Sequence, residues 1–351
     1  MARGEYKQMI RVGVIGYGYW GPNLVRNFAE ADGCTLAEIC DRSPERLAVV
    51  QRRYPGVRAT TDWKSVTSAP DIDLVAISTP VSTHFELAMA ALQNGKHVLV
   101  EKPMAMTVEE CERLVDEAAR RKLILMVDHT FVYTPAVCKM HELVADGSLG
   151  DIYYYDSVRV NLGLFQHDVN VIWDLAVHDL AIMDFVLPER PVAVSATGVS
   201  HVPGGPENIA YLTMFFNSTL MAHVHVNWLA PVKLRSTLLG GSRKMIVYDD
   251  LEPSEKIKVY DRGITIGSNP ENVYQMKVGY RSGDMWAPRL NTSEALGVEI
   301  KHLVECVSQG KRPLTDGEAG LEVVRVLENG TRSMQQRGRP IELVAARKAI
   351  G

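Results

Sequence analysis

The residues whose types and spacing could do chemistry fall into clusters. The first is Gly16-Tyr17-Gly18-Tyr19-Trp20-Gly21, which follows the apolar run Ile10 to Ile15. Gly16 permits a tight turn out of a buried strand, Gly18 lets a pyrophosphate approach the backbone, and Gly21 lets the next helix pack close. Unpaired N–H groups at that helix start, aided by the helix dipole, face the anion. A second apolar run, Thr35 to Cys40, ends in Asp41, at the spacing expected of a ribose-binding acid. Together they predict a dinucleotide site. Asp41 would hydrogen-bond ribose hydroxyls and repel a 2′-phosphate, which favours NAD over NADP. Arg42 opposes that reading, because a guanidinium could stack on adenine or bind the phosphate.

The second cluster is Glu101-Lys102-Pro103, at the end of His97-Val-Leu-Val100. Most lysines are solvated surface groups. Lys102 instead ends an apolar strand, and Pro103 disfavours the helical region for it, holding the backbone extended. The third is Trp173-Asp174-Leu-Ala-Val-His178-Asp179. On a helix, Asp174 and His178 share a face with Cβ atoms ~5–6 Å apart. A carboxylate there can fix the imidazole tautomer and support its charge. An ordinary amphipathic helix and a zinc pair are the alternatives; with no third ligand in view, no metal is expected. Asp179 reads as structural.

Upstream, Arg159 to Asn170, including Asn161, Gly163 and His167, is polar enough to form a substrate wall. Arg159 or Arg235 could bind a diphosphate, with solvated strand-edge arginines as the alternative. His223 and His225 share a strand face, which reads as a sheet surface or subunit contact.

The elements that must position these groups divide the chain. In the first part strands alternate with helices. Ser43 caps a helix beginning at Pro44, Asp71–Ser78 is a buried strand, and His84 to Leu92 is a helix stopped by Asn94-Gly95. Thr107 caps Val108 to Arg121, and Leu123 to Val127 is a further strand. The pattern predicts a parallel sheet covered on both faces, with Gly16, Asp41, Ser78 and Lys102 at the carboxyl ends where ligands bind. After Thr134-Pro135 and a helix to about Ala145 come strands at Ile152–Val160, Val192–Ser200, Asn208–Phe216, Leu220–Trp228, Leu234–Leu239 and Lys244–Tyr248. Ala295–Val307 and a segment through Leu327 are helical. The fold class is α/β: a Rossmann domain over 1–130 and an α+β domain over 131–351, with a mainly antiparallel open sheet.

The 351 residues suffice for two domains with large cores, and 38 Lys+Arg against 42 Asp+Glu leave a net charge of −4. That balance offers no electrostatic footprint for nucleic acid or an anionic membrane. Five scattered cysteines show no metal spacing, and Cys40 reads as a small buried hydrophobe. No secretion-type apolar segment opens the sequence and no window approaches a membrane span, so the cytoplasm is the expected location.

The glycine turn, Asp41, Thr79-Pro80-x-x-x-His84 and above all Glu101-Lys102-Pro103 resemble the Gfo/Idh/MocA family of sugar and inositol oxidoreductases, over nearly the whole chain. The resemblance implies that Lys102 reaches the oxygen on the reacting carbon and that the Lys-Pro bond can be cis. It also implies that His178 is the acid/base facing the nicotinamide, with Asp174 as its partner. Carried over residue by residue, it assigns Gly16, Tyr17, Gly18, Tyr19, Trp20, Gly21, Asp41, Arg42, Ser78, Thr79, Pro80, His84, Glu101 and Lys102 to the cofactor. It assigns Lys102, Asp174 and His178 to the reacting centre, and with Arg159 and Asn161 from the polar segment and Trp173 from the helix the expected substrate residues are Lys102, Arg159, Asn161, Trp173, Asp174 and His178. Gly-Tyr-Trp-Gly-Pro-Asn, Asn-Leu-Gly and Trp-Asp-x-x-x-His most resemble members acting on nucleotide-linked sugars at the 3-hydroxyl. The alternatives are a free or phosphorylated sugar or an inositol, or a dinucleotide-sensing regulator without catalysis. A homo-oligomer, dimer or tetramer, formed through the C-terminal sheet is implied as well.

Overall fold

The computed structural model describes residues 9–163, 169–261, 263–266 and 278–343. Two compact units emerge. One runs to Tyr133 and takes up Ser293–Arg325 again; the other holds Thr134–Thr292 and the chain from Val326 on. The contiguous division at residue 130 expected from sequence lacks this return. Its physical basis is an apolar stripe, Leu296, Ile300, Leu303 and Val304, that is buried in the structure.

In the first unit the order is β1 (Ile10–Ile15), α1 (Gly21–Glu30), β2 (Cys34–Cys40), α2 (Pro44–Arg53), β3 (Arg58–Thr60), α3 (Trp63–Ser68), β4 (Leu74–Ile77), α4 (His84–Gln93), β5 (His97–Glu101), α5 (Val108–Arg121) and β6 (Leu125–Asp128). The strands lie in the order β3-β2-β1-β4-β5-β6. Every pair is parallel. The order reverses between β1 and β4, the crevice where such sheets bind nucleotides. Leu74 through Ile77 are fully buried, as a strand covered on both faces requires. Side chains cap the helices as their sequences dictate: Ser43 Oγ accepts from Arg46 N, and Thr107 Oγ1 from Glu110 N.

The short β3 and α3 are elements the sequence reading did not anticipate. Strand β4 also begins later than Asp71, because the aspartates before it are used in side-chain bonds. Asp73 Oδ2 accepts Arg11 N at 2.8 Å, and Asp71 pairs with Arg11 and Arg58.

The second unit opens with α6 (Pro135–Ala145) and β7 (Ile152–Leu162). A π-turn (Ile172–Ala176) then leads into α7 (Val177–Val186). Next come β8 (Ala193–Val199), β9 (Ile209–Phe215), β10 (Met221–Asn227), β11 (Leu229–Gly241), β12 (Met245–Asp249), β13 (Ile257–Tyr260), β14 (Gly263–Ile266), β15 (Val278–Arg281) and β16 (Met285–Trp286). Helices α8 (Ala295–Gln309) and α9 (Gly317–Gln335) and the short β17 (Ile341–Glu342) complete the chain, and the unit boundary falls inside α9.

Nine strands form the sheet β16-β13-β12-β11-β7-β10-β9-β8-β17, and β14 pairs with β15. Only β10 and β7 are parallel neighbours in it. Alternation sets its two faces. Ala210, Leu212, Met214, Ala222, Val224 and Val226 are buried on one side. The other presents Tyr211, 45 % exposed, stacked on His225 with ring centroids 4.4 Å apart. No helix among the described residues is long and apolar enough to cross a membrane.

Candidate active site

The glycine turn is forced by backbone crowding. Gly16 has φ +103°, and a Cβ there would lie 2.2 Å from the Ser78 carbonyl oxygen. A Cβ on Gly21 would lie 2.2 Å from the Gly16 carbonyl oxygen. Gly18 is different: a Cβ there would meet only Arg46 Nη1, at 3.8 Å. The turn is therefore open at Gly18, with room there for a pyrophosphate. Trp20 gives α1 no side-chain cap and its first turn carries no acid, so no carboxylate competes with an anion there, although Pro22 has no N–H and Asn23 N donates to the Trp20 carbonyl at 2.9 Å. These residues fit a dinucleotide.

Asp41, 6 % exposed, ties the turn together. Its Oδ2 accepts Tyr17 N at 2.7 Å and its Oδ1 accepts Ser43 N at 2.8 Å. Arg46 Nη1 stands 3.4 Å from Oδ2. Tyr19 is 95 % exposed and Arg42 is exposed, whereas the Tyr17 side chain is buried. Ser78 and Thr79 are half-buried just beyond β4, and Pro80 is exposed. Burial, then the charges of Asp41, Asp62 and Glu38, pushes the Cys40 thiol up to about 12, the behaviour of an inert core group.

Lys102 is half-buried immediately after β5, and the Lys102–Pro103 peptide is cis. His84, expected at the cofactor, is instead 1 % exposed. Its Nδ1 lies 2.9 Å from the Pro103 carbonyl and its Nε2 lies 2.8 Å from the Thr79 carbonyl. A neutral ring has one N–H, so His84 donates to one of these carbonyls while its other nitrogen faces the second, and the side chain sits between the turns that follow β4 and β5. Burial, more than any charge, holds this imidazole below its ordinary range.

Glu101 sits opposite Asp128 in the β5–β6 register. Burial, and then the Asp128 charge, pushes Glu101 well above the usual carboxylate range, against the pull of Lys102. The His129 imidazole is buried with no hydrogen-bond partner on either nitrogen, and burial with the Lys102 charge holds it down at about 3.

In the second unit every residue from Val171 to Leu180 is buried except Asp174 and His178. The two expected chemical groups are those that the local fold leaves accessible. Their backbone differs from the regular helix anticipated, because Asp174 lies in the π-turn and His178 in α7. Trp228 Nε1 donates to Asp174 Oδ2 at 2.9 Å. Trp228 O accepts Gly163 N at 3.0 Å. A Cβ on Gly163 would lie 2.9 Å from the indole and 3.3 Å from Asn161 Nδ2. Asn161 and the Trp228 indole therefore both crowd Gly163.

Two expected substrate residues are corrected. Trp173 is 8 % exposed and donates through Nε1 to Thr331 Oγ1 at 3.0 Å, so it is a core side chain. Arg159 is 2 % exposed and grips Asp179, with Nε to Oδ2 at 2.7 Å and Nη2 to Oδ1 at 3.2 Å. Burial and that ion pair remove it from any substrate wall. Arg235 likewise holds Asp250, at 3.0 Å. The remainder of the predicted wall, residues 164–168 with His167, lies outside the described residues.

Sequence reasoning missed Trp228, Arg46, Asp128 and Glu299. Trp228 and Asp128 sit at strand ends with no motif to mark them. Glu299 carried a readable signal: it lies among Leu296, Ile300 and Leu303, on the apolar stripe of its helix.

Residues 10–129 match the NAD-binding Rossmann-fold domain of the GFO/IDH/MocA oxidoreductase family, and residues 141–343 match that family's C-terminal alpha/beta domain. UDP-N-acetylglucosamine 3-dehydrogenase of Acidithiobacillus ferrooxidans is 28 % identical over 324 residues, covering 90 % of this chain and 94 % of that enzyme. Its solved structure superposes with a TM-score of 0.79 at 26 % identity, covering 94 % of this chain and 99 % of that one. An oxidoreductase from Agrobacterium radiobacter, solved with NAD+, L-tartaric acid and magnesium, shares the fold at 19 % identity and a TM-score of 0.80, over 96 % of this chain and 99 % of that one.

Proposed function

The chain belongs to the Gfo/Idh/MocA oxidoreductase family, and from that premise we propose that it is an NAD-dependent sugar dehydrogenase. Its substrate in this reading carries the reacting hydroxyl at C3 of a UDP-linked N-acetylhexosamine or hexuronate. The observation that carries the chemistry is the selective accessibility of Asp174 and His178 in an otherwise buried segment. The choice of substrate is supported by likeness to the UDP-N-acetylglucosamine 3-dehydrogenase over most of both chains. Neither Arg159 nor Arg235 supports it, since each is held by an aspartate.

NAD bound in the cradle supplies a hydride acceptor. His178 takes the hydroxyl proton, Asp174 orients the imidazole and stabilises its charge, and Lys102 polarises the oxygen as negative charge develops on it. Trp228 holds Asp174 in place for this task. Asp41 favours NAD over NADP, because its carboxylate is fixed beside the turn by two backbone N–H groups. The mixed sheet face around Tyr211 and His225 is the surface for a homo-oligomer, and the cytoplasm is the setting.

A thermal-shift screen of UDP-, dTDP- and GDP-sugars with NAD tests the reading. A ligand at a hundred times its dissociation constant adds about 2.7 kcal/mol of stability. Stabilisation by UDP-sugars, followed by NADH formation, is the expected result. A response only to free sugars, sugar phosphates or inositols would move the substrate class. NAD binding without turnover on any of them would leave a dinucleotide sensor.

A further inference from the structure

Helix α8 lays a carboxylic acid where a carboxylate has nothing to bind. Glu299 is 0 % exposed, and neither of its oxygens has a partner at hydrogen-bond geometry. Its neighbours are the Asp128 carboxyl and the Thr130 hydroxyl. Thr130 Oγ1 is already committed to Asp128 Oδ1, at 2.5 Å. The other Asp128 oxygen, Oδ2, accepts Trp20 Nε1 at 2.8 Å. Both Asp128 oxygens therefore already accept a bond, and a Glu299 that carries a proton can donate it to Asp128. Two adjacent buried carboxyl groups cannot both ionise.

Trp20 belongs to the glycine turn and is the residue from which α1 starts. The same α8 also holds α1 from outside. Its capping residue Glu294 pairs with Arg26 at 2.5 Å and accepts from Asn27 at 3.4 Å. One helix thus reaches the cofactor turn by two routes, one exposed and ionic, the other buried and proton-dependent.

We propose that Glu299, in its protonated form, is a positioning residue for the dinucleotide turn: it donates to Asp128, and Asp128 thereby holds the Trp20 indole. This rests on the reading of Gly16–Gly21 as the NAD cradle.

The titratable groups that bear on Glu299 are Asp128 on β6 and Glu101 on β5, both of which oppose its ionisation. Lys102 acts on Glu101, and a charge on Glu299 would bear on Tyr133, in the turn after β6. Burial is the largest cause of the rise that keeps Glu299 protonated. In the unfolded chain a glutamate titrates near ~4.3, so above that pH the folded state holds a proton the unfolded state has lost. Stability contributed by Glu299 therefore declines as pH rises from there toward the folded value.

The test compares wild type with Glu299→Gln and Glu299→Met. Glutamine keeps a donor for Asp128 but cannot ionise. Its NAD dissociation constant should stay within about twofold of wild type in mild acid. In the protein without NAD, its unfolding equilibrium should gain on wild type by up to about tenfold per pH unit above the unfolded value. Methionine keeps the volume and loses the donor, so NAD binding should weaken about tenfold while the far-ultraviolet circular dichroism is unchanged. Trp20→Phe should weaken NAD binding in wild type and less in the methionine background. Glu299→Met binding NAD like wild type, or Glu299→Gln following the wild-type pH dependence of stability, would overturn the proposal. If the methionine variant does not fold, the glutamine pH comparison still decides. Gly18→Val separates the two readings: loss of NAD binding there upholds the cradle whatever Glu299 does. Wild type binding neither NAD nor NADP overturns both.

Discussion

Trp228 donates its indole N–H to Asp174 at 2.9 Å across 54 residues of sequence. The indole is fully buried, so this donor points at one carboxylate oxygen with little freedom to do otherwise. Asp174 is thereby held in one orientation, which is what its proposed role as an orienting carboxylate needs.

The first prediction follows from that bond. Trp228→Phe keeps most of the packing and removes the donor, at about 1.5–3 kcal/mol for a hydrogen bond to a charged group. Turnover should fall about tenfold or more, with NAD affinity unchanged. Steady-state kinetics beside an NAD titration check it. Unchanged turnover would show that Trp228 merely fills space.

The second concerns Arg159. Its pair with Asp179 is buried on both sides, at 2 % and 3 % side-chain exposure. Arg159→Leu strands a buried carboxylate and should lower stability by about 3–5 kcal/mol in urea unfolding. Arg159→Met combined with Asp179→Leu should restore much of it. KM for the sugar, measured where the single variant is folded, should stay within about twofold. A raised KM with intact stability would return the arginine to the substrate.

Arg159 also shows where sequence legibility ends. Its period-two partners on β7, Tyr155 and Ser157, are buried with it, so the alternation pointed inward. Its charge outweighed that pattern because the partner, Asp179, is distant in sequence. The glycine turn, the Ser43 and Thr107 caps and the parallel run were legible because each follows from local rules acting within a few residues. The π-turn at Ile172–Ala176 was not, since an inserted residue in a helix leaves no compositional mark. The return of Ser293–Arg325 to the first unit was equally hidden, because periodicity says that a face is apolar but not what covers it.

The third prediction is cofactor choice. Asp41 joins the glycine turn to the start of α2, with Arg46 next to it, and in the proposed reading it faces the ribose. Asp41→Ala removes a repulsion toward a 2′-phosphate and loosens the turn, so NAD should weaken more than NADP. Arg46→Ala in that background should weaken NADP in turn. Titrations of each variant with both dinucleotides measure the ratio. Wild type preferring NADP would defeat this reading of Asp41.

The last prediction concerns the chemistry itself. Lys102 stands at the end of β5 in one unit, and Asp174 and His178 lie in the other. If they serve one reaction, their variants must interact kinetically. His178→Ala removes a general base and should lower turnover about 10²–10⁴-fold, with partial rescue by added imidazole. Lys102→Ala removes a positive charge next to a developing alkoxide and should lower turnover about 10²–10³-fold, with NAD still bound. Asp174→Asn keeps the shape and the Trp228 contact but weakens support for the imidazolium, so its loss should appear in turnover and in the pH profile. The Lys102→Ala/His178→Ala double variant should lose less than the product of the single losses, because both residues assist the same proton transfer. NADH formation with the sugar found in the screen, alongside NAD titration of each folded variant, supplies the numbers. Fully multiplicative losses would mean that the two residues act in separate steps, and wild-type turnover in both single variants would mean that neither touches the reacting carbon.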